Sequence, residues 1–148
     1  METTVHKLCF HIVLGTADRR PLIPPTLRND LYRLFEEVIE RSGGSVLGIG
    51  GIPNHVHLLV RLPPTVVVAD VVRNLKTASR TWACANGNGD LEWGEGFGAF
   101  SVSQERASEL LGLVEDQEGH HRRRSYAYEL LALIGGGANG RILSESAP

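Results

Sequence analysis

The sequence of 148 residues has no apolar run near the roughly 18 residues that a membrane-spanning helix needs, which predicts a protein without a membrane segment. It also has no excess of one charge, since Lys and Arg number 15 against 17 Asp and Glu. Binding to nucleic acid through bulk positive charge is therefore excluded, and any such contact needs a local basic patch. The N-terminus lacks the charged and then apolar layout of a secretion signal.

Cysteine is scarce as well. The two cysteines, Cys9 and Cys84, lie in apolar surroundings without the CxxC spacing of a zinc site. This disfavours a disulfide scaffold and a cysteine-based zinc site, and it predicts a cytoplasmic protein in a reducing compartment. With 42% hydrophobic and 22% charged residues, the chain is typical of one globular domain.

The apolar pattern alternates between strands and helices. Strands are predicted at 8–14, 45–52, 55–62 and 97–102, and helices at 27–39, 68–82, 104–121 and 126–134. The order β-α-β-β-α-β, followed by C-terminal helices, predicts an α+β fold with a ferredoxin-like antiparallel sheet and helices on one face. We expect the domain to cover residues 1–134. Residues 85–98 are predicted to be a loop without a fixed local structure, and 135–148 a Gly-rich, flexible tail.

The sharpest local feature is His55-Val56-His57 in the third predicted strand. Because side chains alternate between the faces of a strand, both imidazoles leave the same face, about 7 Å apart along the strand. Two neutral imidazoles at that spacing can bind one divalent metal ion. Two surface histidines would give the same pattern, so a third ligand is needed to separate the two interpretations.

The helix predicted after Ser103 offers candidates for that third ligand. Gln117 lies three and four residues before His120 and His121, a spacing that puts the three side chains on one helix face. A Gln carbonyl is a hard oxygen ligand, which suits Mg²⁺ or Mn²⁺ better than zinc. The same residues are also typical of a solvated helix end, where cationic side chains favour the C-terminal dipole.

The main basic cluster follows directly and is a candidate for DNA contact. The cluster consists of Arg122, Arg123 and Arg124. The other candidates are the neighbouring His121 and two basic residues of the second predicted helix, Lys76 and Arg80. Gathered on one surface, such side chains would bind several phosphates and make the affinity depend on salt. Solvated surface charge gives the same pattern.

Six sequence blocks, taken in order, resemble the single-tyrosine HUH transposases of small insertion sequences, especially their REP-associated relatives. The blocks are residues 32–50, GIPNHVHLLV (51–60), LPPT (62–65), NLKTASR (74–80), WGEGFGAFSVS (93–103) and QEGHHR (117–122). Six blocks in one order, over about residues 5–134, are far more specific than any one of them. The resemblance implies a ferredoxin-like domain, usually a homodimer, that acts on single-stranded or hairpin DNA in DNA transposition.

The resemblance also implies a site. Its metal ligands would be His55, His57 and Gln117, and the metal Mg²⁺ or Mn²⁺. In the family, a tyrosine four residues before the glutamine attacks the scissile phosphate and forms a 5′-phosphotyrosine link. Leu113 occupies that position here, which predicts a member that binds DNA but is deficient in cleavage. Asn54 stands where the family commonly has an aspartate.

Three alternatives stay open. In the first, Tyr126 or Tyr128 acts as the nucleophile, although these residues lie 13 and 15 positions beyond Leu113. A continuous helix would put them about 20 Å away, at ~1.5 Å per residue. In the second, the metal site activates water in a simple nuclease. In the third, the protein is a dimeric scaffold with no nucleic-acid role, which predicts no salt-dependent affinity for hairpin DNA.

Overall fold

The computed structural model describes residues 3–115 and 142–143. Within these residues lie five strands and three α-helices, with a 3₁₀ turn at Ala17–Arg19. Their bounds are β1 (Cys9–Gly15), α1 (Pro25–Arg41), β2 (Ser45–Ile52), β3 (His55–Arg61), α2 (Val68–Ala85), β4 (Phe97–Val102), α3 (Gln104–Glu115) and β5 (Ile142–Leu143). The helix predicted at 126–134 lies outside the described residues. Within the described part of the chain, no helix is long and apolar enough to cross a membrane.

The strands form one antiparallel sheet in the order β2-β3-β1-β4-β5. The first four follow the ferredoxin-like arrangement, which confirms the predicted α+β fold. β5 is an addition, since Ile142 and Leu143 pair with Gly98 and Phe97. These two residues belong to the predicted Gly-rich tail, and the rest of the tail, 135–141 and 144–148, lies outside the described residues. A strand this short has no periodicity to detect, and its pairing depends on where the chain returns to β4.

α1 and α2 pack on one face of the sheet and enclose the main core. The sheet contributes Ile12, Leu14, Val56, Leu58 and Val60, and the helices contribute Leu31, Phe35, Ile39, Val72 and Leu75. α1 ends at two glycines: Gly43 has φ +87°, and Gly44 N–H donates to Ile39 O at 3.1 Å. Glycine is favoured here because the left-handed conformation strains residues with a Cβ atom. The turn leads directly into β2.

α3 packs on the opposite face of the sheet, which we call the α3 face. Ala107, Leu110 and Val114 bury Leu59 of β3 there. Ser103 caps the helix as predicted, because its Oγ accepts the Arg106 N–H at 3.1 Å. Leu59 follows His57 by two residues, so α3 lies on the histidine face of the sheet.

The segment 86–96, between α2 and β4, is held by contacts with the rest of the domain. Trp93 forms a bridge with Thr16, and its indole N–H donates to Ser79 Oγ at 2.8 Å. Its ring packs against Phe35, with the centroids 6.0 Å apart. The predicted loop is confirmed for this segment, which has no helix or strand, but the prediction that it lacks a fixed local structure is wrong. One anchored aromatic side chain outweighs the high glycine content of the segment.

Candidate metal centre

His55 and His57 lie side by side on the α3 face of β3. Both are fully buried, at 0% exposure, and their ring centroids are 5.0 Å apart. The strand geometry therefore agrees with the expectation that both imidazoles share one face. The alternative of two surface histidines does not fit their burial. A buried imidazole requires polar partners, so the neighbours of each ring matter.

Asn54 is the partner of the first ring. His55 Nδ1 lies 2.7 Å from Asn54 Oδ1, and an amide oxygen only accepts, so the ring donates from Nδ1. In the neutral ring, His55 Nε2 then carries the lone pair that a metal needs. Asn54 thus orients the His55 ring in the way a carboxylate would, but without the negative charge that raises the basicity of the imidazole.

Backbone hydrogen bonds fix the turn that precedes β3. Thr16 N–H donates to Asn54 O at 3.0 Å, and Ile23 N–H donates to Pro53 O at 3.0 Å. The chain segment between β1 and α1 therefore supports the turn at two successive carbonyls. This support sets the position from which Asn54 contacts His55.

The glycines of β2 lie across from this part of β3. Gly50 pairs with His57, and Gly48 pairs with Leu59. Because glycine has no side chain, nothing projects from β2 beside the histidines at these two positions. α3 packs against β2 on this face.

A third histidine, which sequence reasoning did not single out, belongs to the same cluster. His11 of β1 is fully buried, and its Nε2 lies 2.7 Å from His57 Nδ1. The signal available in the sequence was a single imidazole within an otherwise apolar strand, since buried polar groups need partners. The pairing itself depends on the register of β1 and β3.

The third predicted ligand, Gln117, lies outside the described residues, as do His120 and His121. α3 is described as far as Glu115, two residues before Gln117. Within residues 3–115 and 142–143, no group of three or more His, Cys, Asp or Glu side chains is able to hold a metal ion. A third metal ligand beside His55 and His57 must therefore be another type of residue or lie outside the described residues. Gln117 is both, since it would bind through its side-chain oxygen and lies beyond residue 115.

The position of the expected nucleophile lies in α3. Leu113 precedes the buried Val114, which packs with Leu59. The possible substitutes Tyr126 and Tyr128 lie outside the described residues.

Tyr32 is the remaining tyrosine, and it lies on the other side of the sheet. A Cβ added to Gly51 would come within 2.9 Å of Tyr32 Oη. Gly51 pairs with Val56, which belongs to the core beneath α1 and α2. The Tyr32 hydroxyl therefore lies on the face opposite His55 and His57.

The predicted DNA-binding residues are divided. Lys76 and Arg80 belong to α2, on the side of the sheet opposite the histidines. Lys76 Nζ donates to Gly94 O at 3.1 Å and to Gly96 O at 2.8 Å, so it contributes to anchoring the segment 86–96. Arg80 is exposed. His121 and the arginines at 122–124 lie outside the described residues.

Comparisons with known proteins agree with the fold. The family model described as "Transposase IS200 like" matches residues 4–117. The ISDra2 transposase TnpA of Deinococcus radiodurans is 22% identical over 126 residues, which cover 76% of this chain and 86% of the relative.

Two solved structures are similar in fold, each with a TM-score of 0.62. A crystal structure of a protein assigned as a transposase, also from Deinococcus radiodurans, shares 23% identity and covers 79% of this chain and 95% of its own. A REP-associated tyrosine transposase bound to a REP hairpin shares 15% identity and covers 82% of this chain and 74% of its own.

Proposed function

The chain belongs to the IS200-like transposase family, and on this basis we propose that it binds single-stranded, hairpin-bearing DNA and a divalent metal ion at the α3 face. The metal ligands in this proposal are His55, His57 and Gln117, and the metal is Mg²⁺ or Mn²⁺. The observation that carries the proposal is the pair of fully buried imidazoles, 5.0 Å apart between centroids, on one face of β3. The similar REP-associated transposase bound to a hairpin supports DNA of this type as the partner. A homodimer, which the family resemblance implies, is part of the proposal.

The donor set fits a hard divalent cation. Asn54 Oδ1 accepts from His55 Nδ1, which leaves the lone pair of His55 on Nε2 for the metal. His57 Nδ1 is hydrogen-bonded to His11, and in this proposal His57 also binds the metal through Nε2. Two imidazoles and one amide oxygen would supply part of the donor set, and water or phosphate oxygens would supply the rest. When bound, a divalent cation would stabilise negative charge on the phosphoryl oxygens of the DNA. The chain itself orients the rings of His55 and His57 and excludes bulk water from around them.

Leu113 makes the proposed activity one of binding without cleavage. A leucine side chain has no lone pair to attack phosphorus, so the phosphotyrosine step of the family lacks its nucleophile at this position. Tyr32 faces the α1 and α2 core. Cleavage by Tyr126, by Tyr128 or by water would therefore appear as a result that contradicts this part of the proposal.

Binding to a labelled hairpin oligonucleotide with a single-stranded flank tests the proposal, with and without Mn²⁺. We expect Mn²⁺ to strengthen binding and the affinity to fall as salt rises. Each contact with a single-strand phosphate contributes ~0.7 to the slope of log affinity against log salt. The triple variant Arg122→Ala, Arg123→Ala and Arg124→Ala removes three such contacts, so its slope should be shallower by about 2.

A variant with the same loss of charge is the control for this experiment. This control is the triple variant Arg33→Ala, Arg41→Ala and Arg73→Ala. It removes three exposed arginines of α1 and α2, each of which forms an ion pair at the surface. It should bind the hairpin like the unmodified chain. Equal weakening by both triple variants would indicate bulk charge, and no salt-dependent affinity in any of the three proteins would favour the dimeric scaffold.

A further inference from the structure

His11 and His57 share one hydrogen bond between ring nitrogens inside the sheet. His11 Nε2 lies 2.7 Å from His57 Nδ1, and both side chains are fully buried. The ring centroids are 5.0 Å apart, with the planes inclined by 34°. His11 lies on β1 and pairs with Leu59, which places it diagonally across from His57 on the α3 face. The contact therefore follows from the sheet register.

One proton on this hydrogen bond decides which atom of His57 can bind a cation. A neutral imidazole carries one N–H and one lone pair, so one of the two nitrogens donates and the other accepts. If His57 Nδ1 donates, its Nε2 holds the lone pair. If His11 Nε2 donates, the proton of His57 lies on Nε2, and that atom cannot bind a metal. The two arrangements therefore correspond to a competent and a blocked ligand.

We infer that His11 is a positioning residue that holds His57 in the competent arrangement. His11 Nε2 accepts the proton of His57 Nδ1–H, and His57 Nε2 is the metal-binding atom. His55 is held in the same tautomer by Asn54 Oδ1, which only accepts. The two ligands of β3 are thus oriented by two different supports, one from β1 and one from the turn before β3. This inference rests on the proposed metal site and names the residue that prepares it.

The test reads the tautomer directly, in metal-free protein at neutral pH. Long-range ¹H–¹⁵N spectra distinguish a protonated ring nitrogen from one with a lone pair. In the unmodified chain we expect His57 to be protonated at Nδ1. In His11→Leu, which cannot accept a hydrogen bond, the proton should move to Nε2. In His11→Gln, the side-chain oxygen can accept, and Nδ1 should stay protonated.

Mn²⁺ affinity, measured by the fraction of free Mn²⁺ signal in electron paramagnetic resonance, gives a second readout. His11→Leu should weaken binding by about 10- to 100-fold, the usual effect of losing a residue that orients a ligand. His11→Gln should recover most of that loss. His6→Leu removes an exposed histidine and is the control, with no change expected in either measurement.

The outcomes separate this inference from the proposed function. A His57 ring protonated at Nε2 in the unmodified, metal-free chain would overturn the role of His11, and this spectrum decides the matter even if His11→Leu does not fold. Unchanged tautomer and unchanged affinity in folded His11→Leu would overturn it as well. Failure of the unmodified chain to bind Mn²⁺, with His57 protonated at Nδ1, would instead contradict the proposed metal site.

Discussion

Leu113→Tyr is expected to give the protein a covalent link to single-stranded DNA that the unmodified chain does not form. The substitution puts a phenol in α3, four residues before Gln117, where the family has its nucleophile. Removing the nucleophile of a covalent mechanism costs on the order of 10⁶-fold in rate, because the remaining groups cannot replace the attacking atom. The expected change is therefore from no detectable adduct to a measurable one.

The adduct is measured on a denaturing gel, with labelled hairpin DNA in Mn²⁺. Leu113→Phe is the matched control, since it adds the same ring without a hydroxyl and should form no adduct. Leu113→Tyr combined with His57→Ala should also form none. An adduct of the unmodified chain mapped to Tyr126 or Tyr128 would contradict the predicted deficiency. No adduct from folded, metal-bound Leu113→Tyr would show that the site has lost more than its nucleophile.

His57→Ala should remove Mn²⁺ binding and also destabilise the fold. Loss of a direct ligand should weaken Mn²⁺ binding by more than the roughly 100-fold that loss of an orienting partner causes. His57 is fully buried and hydrogen-bonded to His11, so the substitution leaves a cavity and a buried ring nitrogen that has lost its partner. We expect the free energy of unfolding to fall by about 1–3 kcal/mol.

Leu59→Ala separates the two effects of that substitution. Leu59 lies two residues further along β3, on the same face, and is buried against α3. Its loss should lower the free energy of unfolding by about 2–5 kcal/mol and leave Mn²⁺ binding intact. Urea unfolding and Mn²⁺ titration measure both quantities in each variant. Binding of Mn²⁺ by His57→Ala at the affinity of the unmodified chain would contradict the role of this ring as a ligand.

Local patterns in the sequence were enough to predict the elements that carry the site. Alternation along a strand predicted that His55 and His57 share a face, and the structure confirms this geometry. The helix predicted after Ser103 begins there, and the Ser103 side chain caps it. Each of these features depends on residues within a few positions of one another, so a single sequence contains the necessary information.

Features that depend on distant pairing were not predicted. The contact between His11 and His57 joins residues 46 apart and follows from the register of β1 against β3. The anchoring of Trp93 to Ser79 and the pairing of β5 with β4 are likewise tertiary. Strand periodicity determines which face a side chain occupies, but it does not determine which residue of another strand lies next to it.

In the proposed function, His55 and His57 together hold a divalent cation on the α3 face. Anomalous scattering from a crystal of the unmodified protein soaked in Mn²⁺ tests this most directly. We expect one strong peak about 2 Å from Nε2 of both rings, with the Gln117 side-chain oxygen as the third protein ligand. A crystal with both imidazoles ordered, Mn²⁺ at saturating concentration and no peak between the two rings would contradict it.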